Sequence, residues 1–218
     1  MCLGKWVPSR ARVAYHAVEE LPRIFLAKIK AKQSVEEAFN GSFDNISSMD
    51  NFSEVGCTAF SFFIKGNMMW VANAGDSRMI EIRQKSIRQI TYDHRIDNPV
   101  ERQRLISKGA IIRGSYIYVL NERKCLKSII PIRTLGDHIF KEAGIISKPE
   151  IFKRKIFGMG TALVAGTNGF WDEVSNEQAA DIVRKAKTAK KAAKELLRKI
   201  YESDCDDLDN ITFMVIRP

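Results

Sequence analysis

Between Cys57 and Ala74 the chain carries two apolar, aromatic-rich runs, CTAFSFFI and MMWVANA, parted by a polar turn at Gly66-Asn67. A turn of this kind between two such runs signals a hairpin, because glycine and asparagine tolerate the positive φ that tight hairpin turns demand. Gly75-Asp76-Ser77 then punctuates the chain, and Met79 to Ile82 starts a third strand. The segment reads as a strongly buried antiparallel meander, and helices or further strands must cover it.

The rest of the chain supplies them. Residues 8–31 read as a helix, since Val13, Ala17, Val18, Leu21, Ile24 and Phe25 recur at spacings of three and four. Pro22 is expected to kink or interrupt it, having no N–H to give to the helical ladder. Residues 33–47 form a second helical segment with Val35, Ala38, Phe39 and Phe43 on one face. Residues 98–108 are a third, with Pro99 in its first turn and Gly109 as its stop. Residues 110–120 predict two short strands about Gly114, and Thr161 to Gly166 a buried strand. Ser175 and Gln178 form a capping box that opens a helix running to about Tyr201, and Ile211 to Ile216 is a final strand. This order of elements predicts an α+β fold with helices packed on sheets, and a single domain over residues 1–218.

The chain has 218 residues, enough for one sizeable core. No apolar run approaches the roughly 20 residues that cross a bilayer. Met1 to Trp6 lacks the apolar region of a signal peptide, so the expectation is an intracellular protein of the cytoplasm, the nucleus or both, with no membrane partner. Cys2, Cys57, Cys125 and Cys205 are scattered, as are His16, His94 and His138, so structural zinc is not expected. Much of the net charge of +9 sits in Arg184 to Lys199, RKAKTAKKAAKELLRK. Lysines alternate there with alanines and leucines, as on the wet face of an amphipathic helix. A nuclear-targeting or nucleic-acid patch is the alternative reading of that segment, and the less favoured one.

Four acidic or amide clusters stand beside glycines or at strand ends: Gly75-Asp76-Ser77-Arg78, Gly136-Asp137, Thr167-Asn168-Gly169-Phe170-Trp171-Asp172 and Asp206-Asp207-Leu208-Asp209-Asn210. Carboxylates at the ends of buried strands are how hard divalent cations are held. Each cluster taken alone reads first as a turn that caps its own backbone. Trp171 and Phe170 read as core, Arg133 as the partner of a nearby carboxylate, and His94 and His138 as surface or internally satisfied.

Taken together and in order, these blocks resemble the protein phosphatase 2C family. Gly56-Cys57-Thr58-Ala59 and Val71 to Arg78 are similar to its hairpin motif. Thr91 to His94 follow, with Glu101, Arg104 and Gly109 at the family's spacing, then Ile132 to Asp137 and Lys148-Pro149-Glu150. Asn168 to Asp172, Ser175-Asn176 and Asp209 to Thr212 complete the series, from about Ser9 to the C-terminus.

The resemblance implies an antiparallel β-sandwich flanked by helices, in four layers, here missing its first strands. It also implies a centre of two magnesium or manganese ions whose activated water attacks a phosphoserine or phosphothreonine. Asp209 matches the family's C-terminal metal ligand. Asp172 and Asp76 match ligands of an additional metal. Asn168 stands where the family has an aspartate, which removes one charge from the site. The family's acidic Asp-Gly-His-Gly-Gly motif has no counterpart in Met1 to Pro8.

The expectation is therefore a pseudophosphatase with weak or absent metal binding, acting as a binding module for a kinase, a phosphoprotein or an active phosphatase. A weakly active magnesium- or manganese-dependent phosphatase is the alternative, and a basic nucleic-acid-associated protein the least favoured.

Overall fold

The computed structural model of the protein describes residues 9–49, 52–121, 124–156, 160–202 and 209–217. The chain forms two compact units. One comprises the described parts of Met1–Ser61, Ala72–Gly75 and His94–Ile151, the other those of Phe62–Val71, Asp76–Asp93 and Phe152–Pro218.

The first unit begins with α1 (Ser9–Lys30) and α2 (Val35–Ser47). Helix α1 buries Val13, Ala17, Leu21 and Phe25, one residue per turn on one face, and Phe25 meets Phe39 of α2 at a ring distance of 4.4 Å. It runs unbroken through Pro22, contrary to the interruption expected there. Proline leaves only the carbonyl four residues back without its helical donor. That residue, Val18, is 74% exposed, so water can satisfy it while the buried face holds the turn on either side. Ser34 caps α2 reciprocally: its hydroxyl accepts from Glu37 N at 3.1 Å, and the Glu37 carboxylate accepts from Ser34 N at 2.9 Å.

Strand β1 (Gly56–Cys57) pairs antiparallel with β9 (Leu135–Gly136), while β2 (Ala59–Lys65) and β3 (Met68–Ala74) enter a sheet of order β10-β3-β2, β10 being Glu150–Lys155. Strand β4 (Arg78–Ile82) lies in a different sheet. The expected three-stranded meander is thus divided after β3. Gly75, at φ +135°, takes a backbone turn that other residues resist, and a Cβ there would sit 2.3 Å from the Thr58 side chain. Helix α3 (Pro99–Ser107), capped by Asn98, and the strands β6 (Ile111–Arg113) and β7 (Tyr116–Leu120) stand where the sequence puts them. Strand β8 (Leu126–Ile129) was not anticipated and pairs with β7. Leu105, Ile117, Ile132, Phe140 and Ile145 form their core.

The second unit is built on a sheet of order β12-β11-β4-β5, with β5 at Ile87–Gln89, β11 at Ala162–Gly166 and β12 at Phe213–Ile216. Over it lie α4 (Asn168–Glu173), α5 (Asn176–Lys185) and α6 (Ala189–Tyr201). Ile80, Val164, Phe170, Val183, Leu196 and Ile200 meet in one apolar cluster, each at most 1% exposed. The single helix expected from Ser175 to Tyr201 is two helices. Ala186 is extended at φ −78°, ψ 136°, and the Thr188 hydroxyl accepts from Lys191 N, so a new cap starts a new helix. The break lets α5 bury Ala179, Ala180 and Val183 and α6 bury Ala192, Leu196 and Ile200. Among the described residues no helix is long and apolar enough to cross a membrane.

Candidate functional site

Antiparallel pairing sets Gly166, the last residue of β11, opposite Arg78, the first of β4. Asp76-Ser77, leading into β4, and Thr167-Asn168, leaving β11, therefore emerge at the same end of the second unit's sheet. Asp76 is 4% exposed and Ser77 6%. Beside them, Thr167 N donates to Thr212 O at 2.9 Å, and Thr212 N donates to the Thr167 hydroxyl at 3.2 Å. That latch brings the segment before β12 against the start of α4. Gly169 allows the approach, since a Cβ on it would lie 2.8 Å from Asn210 O and 3.2 Å from Asp209 Cβ.

The outcome is a direct bond between two candidate ligands 41 residues apart: Asn168 Nδ2 donates to Asp209 Oδ2 at 2.9 Å. The other oxygen, Asp209 Oδ1, accepts from Asn210 N at 2.7 Å. Asp172 is exposed on α4. Its neighbour Trp171, 7% exposed, donates its indole N–H to Arg78 O at 3.0 Å and so holds α4 to the strand that follows Asp76.

Arg78 is the pivot of this end of the sheet, which the sequence reading did not anticipate. Its guanidinium forks onto Asp93, with Nε to Oδ1 at 2.9 Å and Nη2 to Oδ2 at 2.7 Å. Nη1 donates to Asn176 Oδ1 at 3.1 Å, and the carbon of the guanidinium lies 5.3 Å from the Trp171 ring centre. One signal was legible: Arg78 opens the first strand of a hairpin and Asp93 follows the second, so the β4–β5 register brings them near each other.

In the first unit the same residue types serve the fold. Arg133 pairs with Glu101 at 2.5 Å and donates to Lys148 O at 2.9 Å, and Arg104 pairs with Glu101 at 2.6 Å. Burial pushes the Glu101 carboxyl up, but the bonds and charges of Arg133 and then Arg104 outweigh it and leave the group below its ordinary value. Arg133 thus acts as the partner of a carboxylate, as expected. His94 is fully buried and satisfied: one ring nitrogen accepts from Gly75 N at 3.1 Å, and the other lies 3.3 Å from the Glu150 carboxylate. His138 contacts the Ser47 carbonyl. Asp137 stands at φ +52°, a left-handed position that aspartate tolerates better than most residues. Near it, burial and then the Asp137 charge push the Cys57 thiol up to about 12. Burial lowers the Lys141 amine to about 8 against the opposing pull of Asp137. Asp206, Asp207 and Met1 to Pro8 lie outside the described residues.

The sequence model of protein phosphatase 2C matches residues 11–209. The chain belongs to the protein phosphatase 2C family. Among curated relatives, "Probable protein phosphatase 2C 45" of Oryza sativa subsp. japonica is 29% identical over 187 residues, covering 85% of this chain and 64% of that protein. Among solved structures, a sex-determining protein of C. elegans superposes with a TM-score of 0.72 at 19% identity, over 91% of this chain and 51% of the other. The catalytic domain of the serine/threonine protein phosphatase PstP, solved in complex with two manganese ions, superposes at 0.57 and 21% identity, over 92% and 80%. The fold is accordingly the α+β protein phosphatase 2C fold, with antiparallel sheets and helices. The chain spans less than two thirds of the length of the first curated relatives it matches, 64% and 57%.

Against a two-metal phosphatase 2C centre the donor set here is poor. Two carboxylates 2.9 Å apart would repel each other and attract a cation, whereas an amide and a carboxylate at that distance satisfy one another. The pair carries one negative charge in place of two. Its amide N–H, a donor, points at the Asp209 carboxylate. Among the described residues no group of three or more His, Cys, Asp and Glu side chains is arranged to hold a metal. The described residues therefore do not by themselves fit a two-metal centre.

Proposed function

We propose that this chain is a protein phosphatase 2C-like binding module whose own residues do not assemble the family's phosphatase centre. The Asn168–Asp209 bond carries the reading. An aspartate at 168 would make this a cation-seeking pair; the asparagine makes it a self-contained hydrogen bond, with no charge left to offset a second cation. A protein partner is supported by the surface beside it. Leu197, Tyr201 and Phe213 border a cleft of about 530 Å³ that also includes Asp209. Leu197 is 41% exposed and Tyr201 75%, and β12 lies at the edge of its sheet among the described strands. An extended segment of a kinase, a phosphoprotein or an active phosphatase is the partner class this surface suits.

Titrating manganese into the full chain and into Asn168→Asp tests the reading. The expected result is no tight two-site binding by the native chain, and a gain of about tenfold or more in manganese affinity for Asn168→Asp. The second reading, a weakly active magnesium- or manganese-dependent serine/threonine phosphatase, is favoured by the retention of Asp76, Asp172 and Asp209. Tight manganese binding by the native chain, with phosphopeptide turnover that disappears in Asp209→Ala, would establish it and end the first.

A further inference from the structure

The end of the second unit's sheet opposite Asp76 and Asn168 has a character of its own. Ile82 faces Ala162 there, four residues along β4 from Arg78 and so about 13 Å away at about 3.3 Å per residue. An open cleft of about 1060 Å³ lies beside these strand ends and the turn between α5 and α6. Arg83, Arg184, Lys187 and Arg217 line it, with the hydroxyls of Thr161 and Thr188, and the described lining includes no carboxylate.

Three of the four cations are anchored. Arg184 donates from Nε to Arg83 O at 3.0 Å and from Nη2 to Ser86 O at 3.1 Å. Arg83 bonds the Glu81 carboxylate at 3.1 Å. Arg217 donates from Nη2 to the Val183 carbonyl, while its Nε is buried with no hydrogen-bond partner among the described residues. Guanidinium groups tied to the fold are ordered before any ligand arrives, so less freedom is lost on binding.

Among the described residues charge is not balanced at this place. Glu81 offsets Arg83, and Asp181, 3.6 Å from Arg184 and 66% exposed, partly offsets that residue. Among the described residues no ion pair involves Lys187 or Arg217, so of four positive charges two remain. Helix α6 adds to them. Its first turn opens at the cleft, has no acidic residue, and carries Lys190 and Lys191 where the helix dipole favours anions. A local rule broken at a built cleft points to a function. Among the described lining residues none is aromatic, so they offer stacked bases no platform. The volume exceeds the need of a single phosphate and suits a drug-sized ligand.

We propose that this cleft binds a small anion bearing two or more phosphate groups, held by Lys187, the Arg217 and Arg184 guanidiniums and the first turn of α6. The basic run Arg184 to Lys199, read from the sequence as a solvated helix face, thereby gains a specific role at its N-terminal third. None of these residues is a candidate metal ligand, so the proposal stands apart from the reading of Asn168 and Asp209.

The test is calorimetric titration of the full chain, in metal-free buffer, with inorganic pyrophosphate and separately with inositol hexakisphosphate. The two arms distinguish a linear diphosphate from a ring polyphosphate. Binding of at least one is expected, weakened about tenfold or more by Lys187→Glu and by Arg217→Gln. Lys187 is exposed, so its substitution leaves the fold intact. The control Lys199→Glu makes the same charge change outside the cleft and is expected to alter affinity by no more than about twofold. No binding of either anion at low salt would overturn the proposal. So would an equal loss in Lys199→Glu, or an RNA oligonucleotide bound more tightly than either small anion.

Discussion

Arg78 shows how much of its surroundings one side chain can organise. It forks onto Asp93, reaches Asn176 and stacks on Trp171, whose indole N–H returns to the Arg78 carbonyl. Lysine has no fork to match the carboxylate, so Arg78→Lys is expected to lower stability by about 2 kcal/mol, read as a fall in the urea midpoint. A second expectation concerns the thiols. Cys125 is exposed, whereas Cys57 is held protonated by burial, then by Asp137, with its thiol near 12. Brief alkylation at pH 8 followed by peptide mapping should find Cys125 modified and Cys57 intact; equal labelling of the two would show that β1 opens readily. At this scale the candidate site was half legible. The identity of Asn168 was plain in the sequence. That its amide faces Asp209 was not, because the bond joins residues 41 positions apart and depends on the close approach at Gly169.

Elements followed the sequence wherever local chemistry decides. The boxes at Ser34 and Ser175, the Asn98 cap and the positive-φ glycines Gly66, Gly109 and Gly114 all act within a few residues of themselves. Ser175→Ala removes one side of the α5 box and is expected to cost about 1 kcal/mol in thermal or chemical unfolding. Pro22 went the other way: the helix continues through it because the buried face of α1 on each side outweighs one missing hydrogen bond. Pro22→Ala should therefore stabilise the chain, by about 1–3 kcal/mol less the entropy that proline removes from the unfolded state. A drop in melting temperature would mean that α1 uses proline for a bend that alanine does not reproduce. The division of α5 from α6 escaped the periodicity because alanines and lysines continue across it. Thr188 was the local sign, a cap residue inside an apparent helix.

For the whole molecule, pH is the most direct probe of the buried charges. The Glu101 carboxyl sits below its ordinary value of 4.5, so the folded chain favours its ionised form; that stabilisation is full above about pH 4.5 and is lost as pH falls through the folded value. Lys141 behaves differently. Its amine falls from 10.5 to about 8, so between these values the unfolded chain holds a proton the folded one does not, and stability rises with pH through that window. Glu101→Gln leaves Arg133 and Arg104 without their shared carboxylate and is expected to cost about 3 kcal/mol at neutral pH. It should also flatten the acid limb of a plot of urea midpoint against pH; an unchanged limb would assign that limb to other carboxylates. By itself the sequence determined the hairpin about Gly66, the helix faces, the caps and the ordered motifs of a protein phosphatase 2C, since turn angles, caps and side-chain periods are properties of neighbouring residues. Only the tertiary structure decided that β4 leaves the sheet of β3, that Arg78 binds Asp93 and Asn176, that Asn168 and Asp209 satisfy each other, and that the basic run opens onto a cleft. Each of these is a meeting of distant segments, fixed by which strands pair and in what register, and no local propensity encodes that choice.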